Sequence, residues 1–183
     1  MSAATPSIPR VFVERQTSQE TEVSYGAGFV IGAGLLLTAL HILDAEYRTC
    51  TLPRLTDPAL RITLEFSSQN GQCTKVPAQV DSRFWSSANV ETDWVVLQFD
   101  QKQVPDAMSL QPCTLRSYYE AVPWHGFGYL TGEEGIALRG SLLPLQVQGA
   151  STRWQVLCDQ PLSGASLRGL SGGPCLLSSG QVV

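Results

Sequence analysis

The chain is short of histidine, of basic charge and of any long apolar run, and each shortage removes a class of function. Only two of its 183 residues are histidines, His41 and His125, so any imidazole chemistry must use one of them. Lysine and arginine number 12 against 16 aspartates and glutamates, a net charge of −4. That balance lacks the basic face that grips a phosphate backbone, so no nucleic-acid partner is expected. The most apolar stretch, Ala27 to Leu40, is broken by glycines and is shorter than the roughly 20 residues a membrane span needs, so no membrane partner is expected either. Residues Met1 to Gln19 contain Pro6, Pro9, Arg10, Glu14 and Arg15 and no long apolar region, which argues against a signal peptide. Gly26, Gly28 and Gly32 miss the spacing of a dinucleotide loop, because Ile31 holds the third glycine position.

Cysteine usage excludes more. The five cysteines, Cys50, Cys73, Cys113, Cys158 and Cys175, are odd in number, and none forms a Cys-x-x-Cys pair. With two histidines no zinc-ligand spacing emerges, so neither a metal nor another cofactor is expected. The reading is one of reduced, mostly buried thiols in a cytoplasmic protein. Cys175 lies close to a candidate serine, but its apolar neighbours mark it as a core thiol.

What is present is β-structure. The chain is 43% hydrophobic, enough to build a core. β-rich or alternating runs occur at Arg10 to Glu14, Leu60 to Phe66, Val76 to Asp81, Ala121 to Phe127, Gly135 to Gln146 and Trp154 to Cys158. Gly28 to Gly32 and Leu35 to Thr38 read as two short strands joined through Gly32-Ala33-Gly34, a hairpin signal. Helical periodicity is weak, and its best candidate is the short stretch from Ala39 to Leu43. The pattern is all-β and consistent with a double barrel, divided in the proline-containing stretch Gln101 to Ser117. Pro123-Trp124-His125-Gly126-Phe127-Gly128 reads as a strand followed by a turn, with His125 structural. Trp85 and Trp154 read as packing residues, and Glu133-Glu134 as a solvated loop tip.

Three segments carry chemistry: Leu37-Thr38-Ala39-Leu40-His41, Thr92-Asp93-Trp94-Val95-Val96-Leu97 and Gly169-Leu170-Ser171-Gly172-Gly173-Pro174. A serine hydroxyl is a poor nucleophile until a base takes its proton. Histidine is the natural base near neutral pH, and a carboxylate fixes its tautomer. Glycines on both sides of Ser171 permit a tight turn that can aim the amides of Gly169 and Ser171 at one point, an oxyanion hole worth roughly 3–4 kcal/mol per donor. Taken alone, that hexapeptide fits a plain surface turn equally well. His41 follows a strand, at a rigid position near a sheet edge. Asp93 opens a buried strand, where a carboxylate is costly unless paired, and an imidazole is a suitable partner. Asp81 is the competing acid, but polar residues follow it.

Taken together and in this order, the segments resemble those of trypsin-like serine peptidases of the chymotrypsin fold, and more closely the compact HtrA-like and bacterial trypsin-like domains. The family pattern is matched by Gly26-Ala27-Gly28-Phe29, Thr38-Ala39-Leu40-His41, Asp93-Trp94-Val95-Val96-Leu97 and Gly169 to Pro174, so the likeness spans residues from about Gly26 to Val183. Leu40 and Leu170 depart from the family's usual alanine and acidic or amide residue. Ile42 and Leu43 stand where secreted members carry a disulfide, and there is no Ile-Val-Gly-Gly start.

The resemblance implies two six-stranded antiparallel β-barrels. Residues 1–20 would form an N-terminal extension, 21–110 a first barrel with His41 and Asp93, and 111–183 a second barrel with Ser171. Twelve residues follow Ser171, so the second barrel is expected to be truncated or to continue in another fragment. The implied function is a serine endopeptidase with a His41/Asp93/Ser171 triad, acting on protein or peptide substrates, as an effector module of a larger regulated protein. By the family's count the residue six before the serine, Ala165, helps set the base of the substrate pocket, and a small neutral residue there disfavours Lys or Arg. The alternative is a catalytically silent or latent peptidase-fold binding module that needs a regulatory partner or a C-terminal fragment.

Overall fold

Alternating apolar residues make six strands of the N-terminal half, and these close on themselves. The computed structural model describes residues 8–45, 51–67, 72–85, 93–111, 121–129, 135–145, 153–159 and 169–182. The strands are β1 (Arg10–Gln16), β2 (Thr21–Gly32), β3 (Leu35–Thr38), β4 (Leu60–Ser67), β5 (Cys73–Trp85) and β6 (Val95–Phe99). They form an antiparallel barrel in the order β1-β2-β3-β6-β5-β4, with β4 returning to β1. Two single-turn helices interrupt the run: α1 (Leu40–Leu43) after β3, and α2 (Leu52–Leu55) before β4.

Inward-facing residues at period two fill the barrel: Val11 and Val13 from β1, Val30 from β2, Leu36 from β3, Leu64 from β4, Val76 from β5, and Val95 and Leu97 from β6. Each fully buried Val or Leu contributes roughly 1.5–3 kcal/mol of transfer free energy, so this cluster dominates the stability of the half. The β2–β3 hairpin turns at Gly34, whose φ of +68° favours glycine. Its carbonyl accepts from Phe99 N at 2.9 Å, which ties the turn to the end of β6.

The second half forms a four-stranded antiparallel sheet. It comprises β7 (Val122–Tyr129), β8 (Gly135–Leu145), β9 (Arg153–Cys158) and β10 (Cys175–Leu176), in the order β10-β7-β8-β9. A bridge from Leu176 to Val182 closes a hairpin after β10. The expectation of two six-stranded barrels is therefore corrected for the described residues: one barrel is closed and the second sheet is open. The physical reason is that, among the described residues, β10 and β9 do not pair and no strand links the two edges.

Two further expectations need correction. The Gly126-Phe127-Gly128 turn is continuous strand, because β7 runs on to Tyr129 in register with β8. Its glycines answer to packing: a Cβ at Gly126 would lie 2.8 Å from Pro174 O, and one at Gly128 would lie 2.6 Å from Leu170 Cδ2. β7 is thus a flat seat for the loop that carries Ser171. Cysteine burial is also less uniform than expected, since Cys73 is exposed where β5 begins, while Cys158 and Cys175 are partly covered. Cys50, Cys113, Ala165, Glu133, Glu134, the side chain of Trp154 and the 112–117 part of the linker lie outside the described residues.

A seam joins barrel and sheet. Phe29, Leu110, Leu176 and Val182 pack together across it, with Ile8, Ile31 and Leu37 alongside. Leu110 N donates to Val30 O at 2.7 Å, Val182 N to Gln111 O at 3.0 Å, and the Tyr129 hydroxyl to Ile8 O at 2.8 Å. Among the described residues, no helix is long and apolar enough to cross a membrane.

Candidate active site

His41 is the second residue of α1, a helix of one turn that starts directly where β3 ends. Asp93 lies two residues before β6, which pairs with β3 so that Thr38 opposes Val95. The ladder therefore brings the end of β3 and the start of β6 side by side. Asp93 uses both carboxylate oxygens on His41: Oδ1 accepts from the backbone amide at 2.9 Å, and Oδ2 makes a close contact with Nδ1 of the ring. A carboxylate can only accept, so Nδ1 is the protonated nitrogen. In the neutral ring this leaves Nε2 with its lone pair, the form a general base requires. Both side chains keep partial exposure, 38% for His41 and 27% for Asp93, so the ring is within reach of a substrate.

Ser171 comes from the other side of the seam. Gly173 N donates to Leu170 O at 3.1 Å and closes a turn with Ser171 and Gly172 at its centre. Gly172 has φ +78°, as the third position of a type II turn requires. The turn is fixed to the barrel by backbone, since Ala27 N of β2 donates to Ser171 O at 2.8 Å. Two glycines make this approach possible. A Cβ on Gly172 would lie 2.2 Å from Ala27 O, 2.5 Å from Thr38 Oγ1 and 2.9 Å from Ala39 N. A Cβ on Gly26 would lie 2.2 Å from Ile42 Cδ1 and 2.8 Å from Ser171 O. The serine turn thus abuts the β3–α1 junction, beside the neighbours of His41. Thr38, buried, donates its hydroxyl to Ala27 O at 2.7 Å and holds the same junction from within.

Gly169 opens the loop with φ +91°, and its carbonyl accepts from Tyr129 N at 3.1 Å. Leu170, where the resemblance leads one to expect an acid or amide, is partly buried among Trp124, Leu138 and Leu142. An apolar contact therefore anchors this loop.

The competing acid is occupied elsewhere. Asp81 is buried in β5, with Arg83 Nε on Oδ1 at 2.9 Å and Arg83 Nη2 and Gln98 Nε2 on Oδ2 at 2.7 Å. The Arg83 hydrogen bonds, against some opposition from burial, hold its carboxyl well below the usual carboxylate range. Cys175 is no rival nucleophile, because burial pushes its thiol up and away from thiolate. His125 lies in mid-strand on β7, opposite Arg139, with its side chain exposed. Among the described residues no three His, Cys, Asp or Glu side chains gather as a metal site would require.

Motif reading missed the residues that hold α1 from behind. Ser24 donates to Ile42 O, Arg15 Nη2 donates to Leu43 O at 3.2 Å, and the buried Asp44 pairs with Arg54 of α2. No local pattern announces them, because the partners lie 10 to 28 residues apart.

No family model matches the chain, and no curated protein matches it in sequence. Solved structures do match. The crystal structure of Deg5 is similar with a TM-score of 0.62 at 16% identity, covering 95% of this chain and 76% of the other. The crystal structure of Rv3671c from M. tuberculosis H37Rv, a serine-to-alanine mutant in an inactive form, is similar with a TM-score of 0.57 at 18% identity, covering 94% and 74%. At such identities the likeness concerns the fold. A closed six-stranded barrel, its partner sheet and these neighbours together give the chain the fold of the trypsin-like serine proteases.

Proposed function

We propose that the chain is a serine endopeptidase that cleaves protein or peptide substrates through an acyl-enzyme. Ser171 is the nucleophile, His41 the general base and then acid, and Asp93 the carboxylate that orients His41. The observation that carries this reading is the two-point hold of Asp93 on His41, through ring and backbone. That hold fixes both the tautomer and the position of the imidazole.

In the first step the Ser171 hydroxyl proton passes to His41 Nε2 as Oγ bonds to the scissile carbonyl carbon. Negative charge develops on the carbonyl oxygen, where the amides of Gly169 and Ser171 are the donors we assign to it. The tetrahedral intermediate collapses, the C–N bond breaks, and His41 gives its proton to the leaving amine. A water then repeats the sequence on the ester and frees Ser171. Asp93 stays ionised throughout and offsets the charge of the imidazolium. Ala165 is our candidate for the pocket base, and a small neutral residue there disfavours Lys or Arg in the substrate.

The test is covalent labelling with a fluorophosphonate, read by intact mass. Wild type is expected to gain one adduct and Ser171→Ala none, with an unchanged melting temperature. An adduct on Ser171→Ala, or none on folded wild type under any condition, would overturn the assignment. Among the described residues the second sheet is open, which favours one other reading, a latent module completed by a partner or further fragment. Labelling that requires such a partner would identify that case.

A further inference from the structure

α1 is four residues long, and one turn of helix cannot sustain itself: nucleation costs more than its few hydrogen bonds return. It has no side-chain N-cap, since Ala39 precedes it. Its geometry must come from outside. Asp93 supplies one anchor at the amide of His41. The other anchors lie at the opposite end. Asp44 N donates to Leu40 O at 3.2 Å, the Ser24 hydroxyl from β2 reaches Ile42 O, and Arg15 Nη2 from β1 reaches Leu43 O at 3.2 Å.

Immediately after the helix the chain turns to extended backbone at Asp44, and the Asp44 side chain is buried, only 2% exposed. Arg54 of α2 donates from Nη2 to Oδ1 at 3.1 Å, and its Nε stands 2.9 Å from Oδ2 as an ion pair. Arg15 stands 3.9 Å from the same carboxylate while it holds the Leu43 carbonyl. A carboxylate this buried is stable only when paired, and here one charge-assisted hydrogen bond and two ion-pair contacts from Arg54 and Arg15 hold it. Asp44, Arg54 and Arg15 therefore lock the trailing end of the helix that carries His41.

We propose that Arg54 and Arg15, closed around the buried Asp44, are the positioning device for His41, setting the ring in register with Asp93 from the far end of α1. None of the three is a catalytic residue; each acts through the helix. The proposal rests on the reading of His41 as the base only where activity is the readout. Its structural content, the pose of the His41 ring, can be measured separately.

The experiment uses the whole chain and two readouts. The first is the NMR signal of the His41 Nδ1 proton, at low field when bound to Asp93, assigned by its loss in His41→Gln. The second is the rate of fluorophosphonate labelling. Arg54→Met is the primary variant, because the Arg54 side chain is 39% exposed and loss of its charge leaves Asp44 with Arg15 as a charge partner. Asp44→Asn is the second. Displacement of a catalytic group by an ångström can cost up to about a hundredfold. We therefore expect a roughly tenfold to hundredfold fall in labelling and a lost or upfield-shifted His41 signal, in protein that still melts cooperatively. Millimolar guanidinium should restore part of both in Arg54→Ala. Folded variants that keep the His41 signal and the wild-type rate would overturn the proposal. A wild type that never labels, with a His41 signal that still responds to Arg54→Met, would overturn the peptidase reading and leave the positioning role standing.

Discussion

In the barrel every strand has a neighbour on each side, because β4 returns to β1; in the second sheet, among the described residues, β9 pairs with β8 alone. The barrel carries His41 and Asp93, and the open sheet seats the loop of Ser171. One half of the candidate site thus stands on a lattice with no free edge, and the other depends on the seam. Open edges are the places where strands exchange, fray or recruit partners. The half of Val156 that faces solvent on β9 fits such an edge. The difference suggests that the imidazole and its acid are set by the barrel alone, whereas the serine is set by contact between barrel and sheet.

The strongest way to break that arrangement is to wedge the seam open at its narrowest point. Gly172 combines φ +78° with a Cβ position 2.2 Å from Ala27 O. Backbone strain of 1–3 kcal/mol for a non-glycine residue in this region adds to a clash that only backbone movement can relieve. We expect Gly172→Ala to cost roughly 4 kcal/mol by chemical denaturation and to abolish fluorophosphonate labelling. The His41–Asp93 contact should survive, seen as a retained His41 Nδ1 proton signal. Loss of that signal with the seam would show that the barrel does not set the pair alone.

A second comparison sets two buried leucines against each other. Leu64 is fully buried in the barrel and Leu142 nearly so in the sheet, each in its own apolar cluster. Truncation to alanine costs about 2–5 kcal/mol, and less where the surroundings can collapse into the space. A closed barrel cannot collapse without breaking its ladder, whereas an open sheet can bend. Leu64→Ala is expected near the upper end, about 4 kcal/mol, and Leu142→Ala near the lower, about 2 kcal/mol. Equal losses in urea titrations would mean that the sheet is as rigid as the barrel.

The barrel strands are legible in the sequence because alternation and β-branched residues bound them clearly, as in Arg-Val-Phe-Val-Glu at residues 10–14. The hairpin at Gly34 is legible for the same reason, with a turn signal between two apolar runs. β7 is misread at its end because Gly126 and Gly128 look like turn residues; their cause is a loop some 45 residues onward, which no local rule can see. α2 is missed because four residues around Pro53 carry no periodicity. At the candidate site, His41, Asp93 and Ser171 stand out because their neighbours are diagnostic. Arg15, Ser24, Asp44 and Arg54 do not, because each gains its meaning from a partner brought near by barrel closure.

The smallest expected effect tests how the seam responds to charge. Tyr129 ends β7, is buried, and donates its hydroxyl to Ile8 O at 2.8 Å, while its amide holds the Gly169 carbonyl. Burial pushes its phenol up to about 12, from an ordinary value of 10.0. Between these values the folded chain keeps a proton that the unfolded chain has released. The folded state then binds more protons, so stability falls as pH rises from about 10 to about 12. Tyr129→Phe should remove this tyrosine's part of the alkaline slope. At neutral pH it should cost only about 1 kcal/mol, the net worth of one hydrogen bond, because the apolar ring stays in place. Melting curves across pH 8 to 12 on both proteins would read the difference. An unchanged slope in the variant would mean that Tyr129 ionises as an exposed tyrosine does, and that the seam there is open to water.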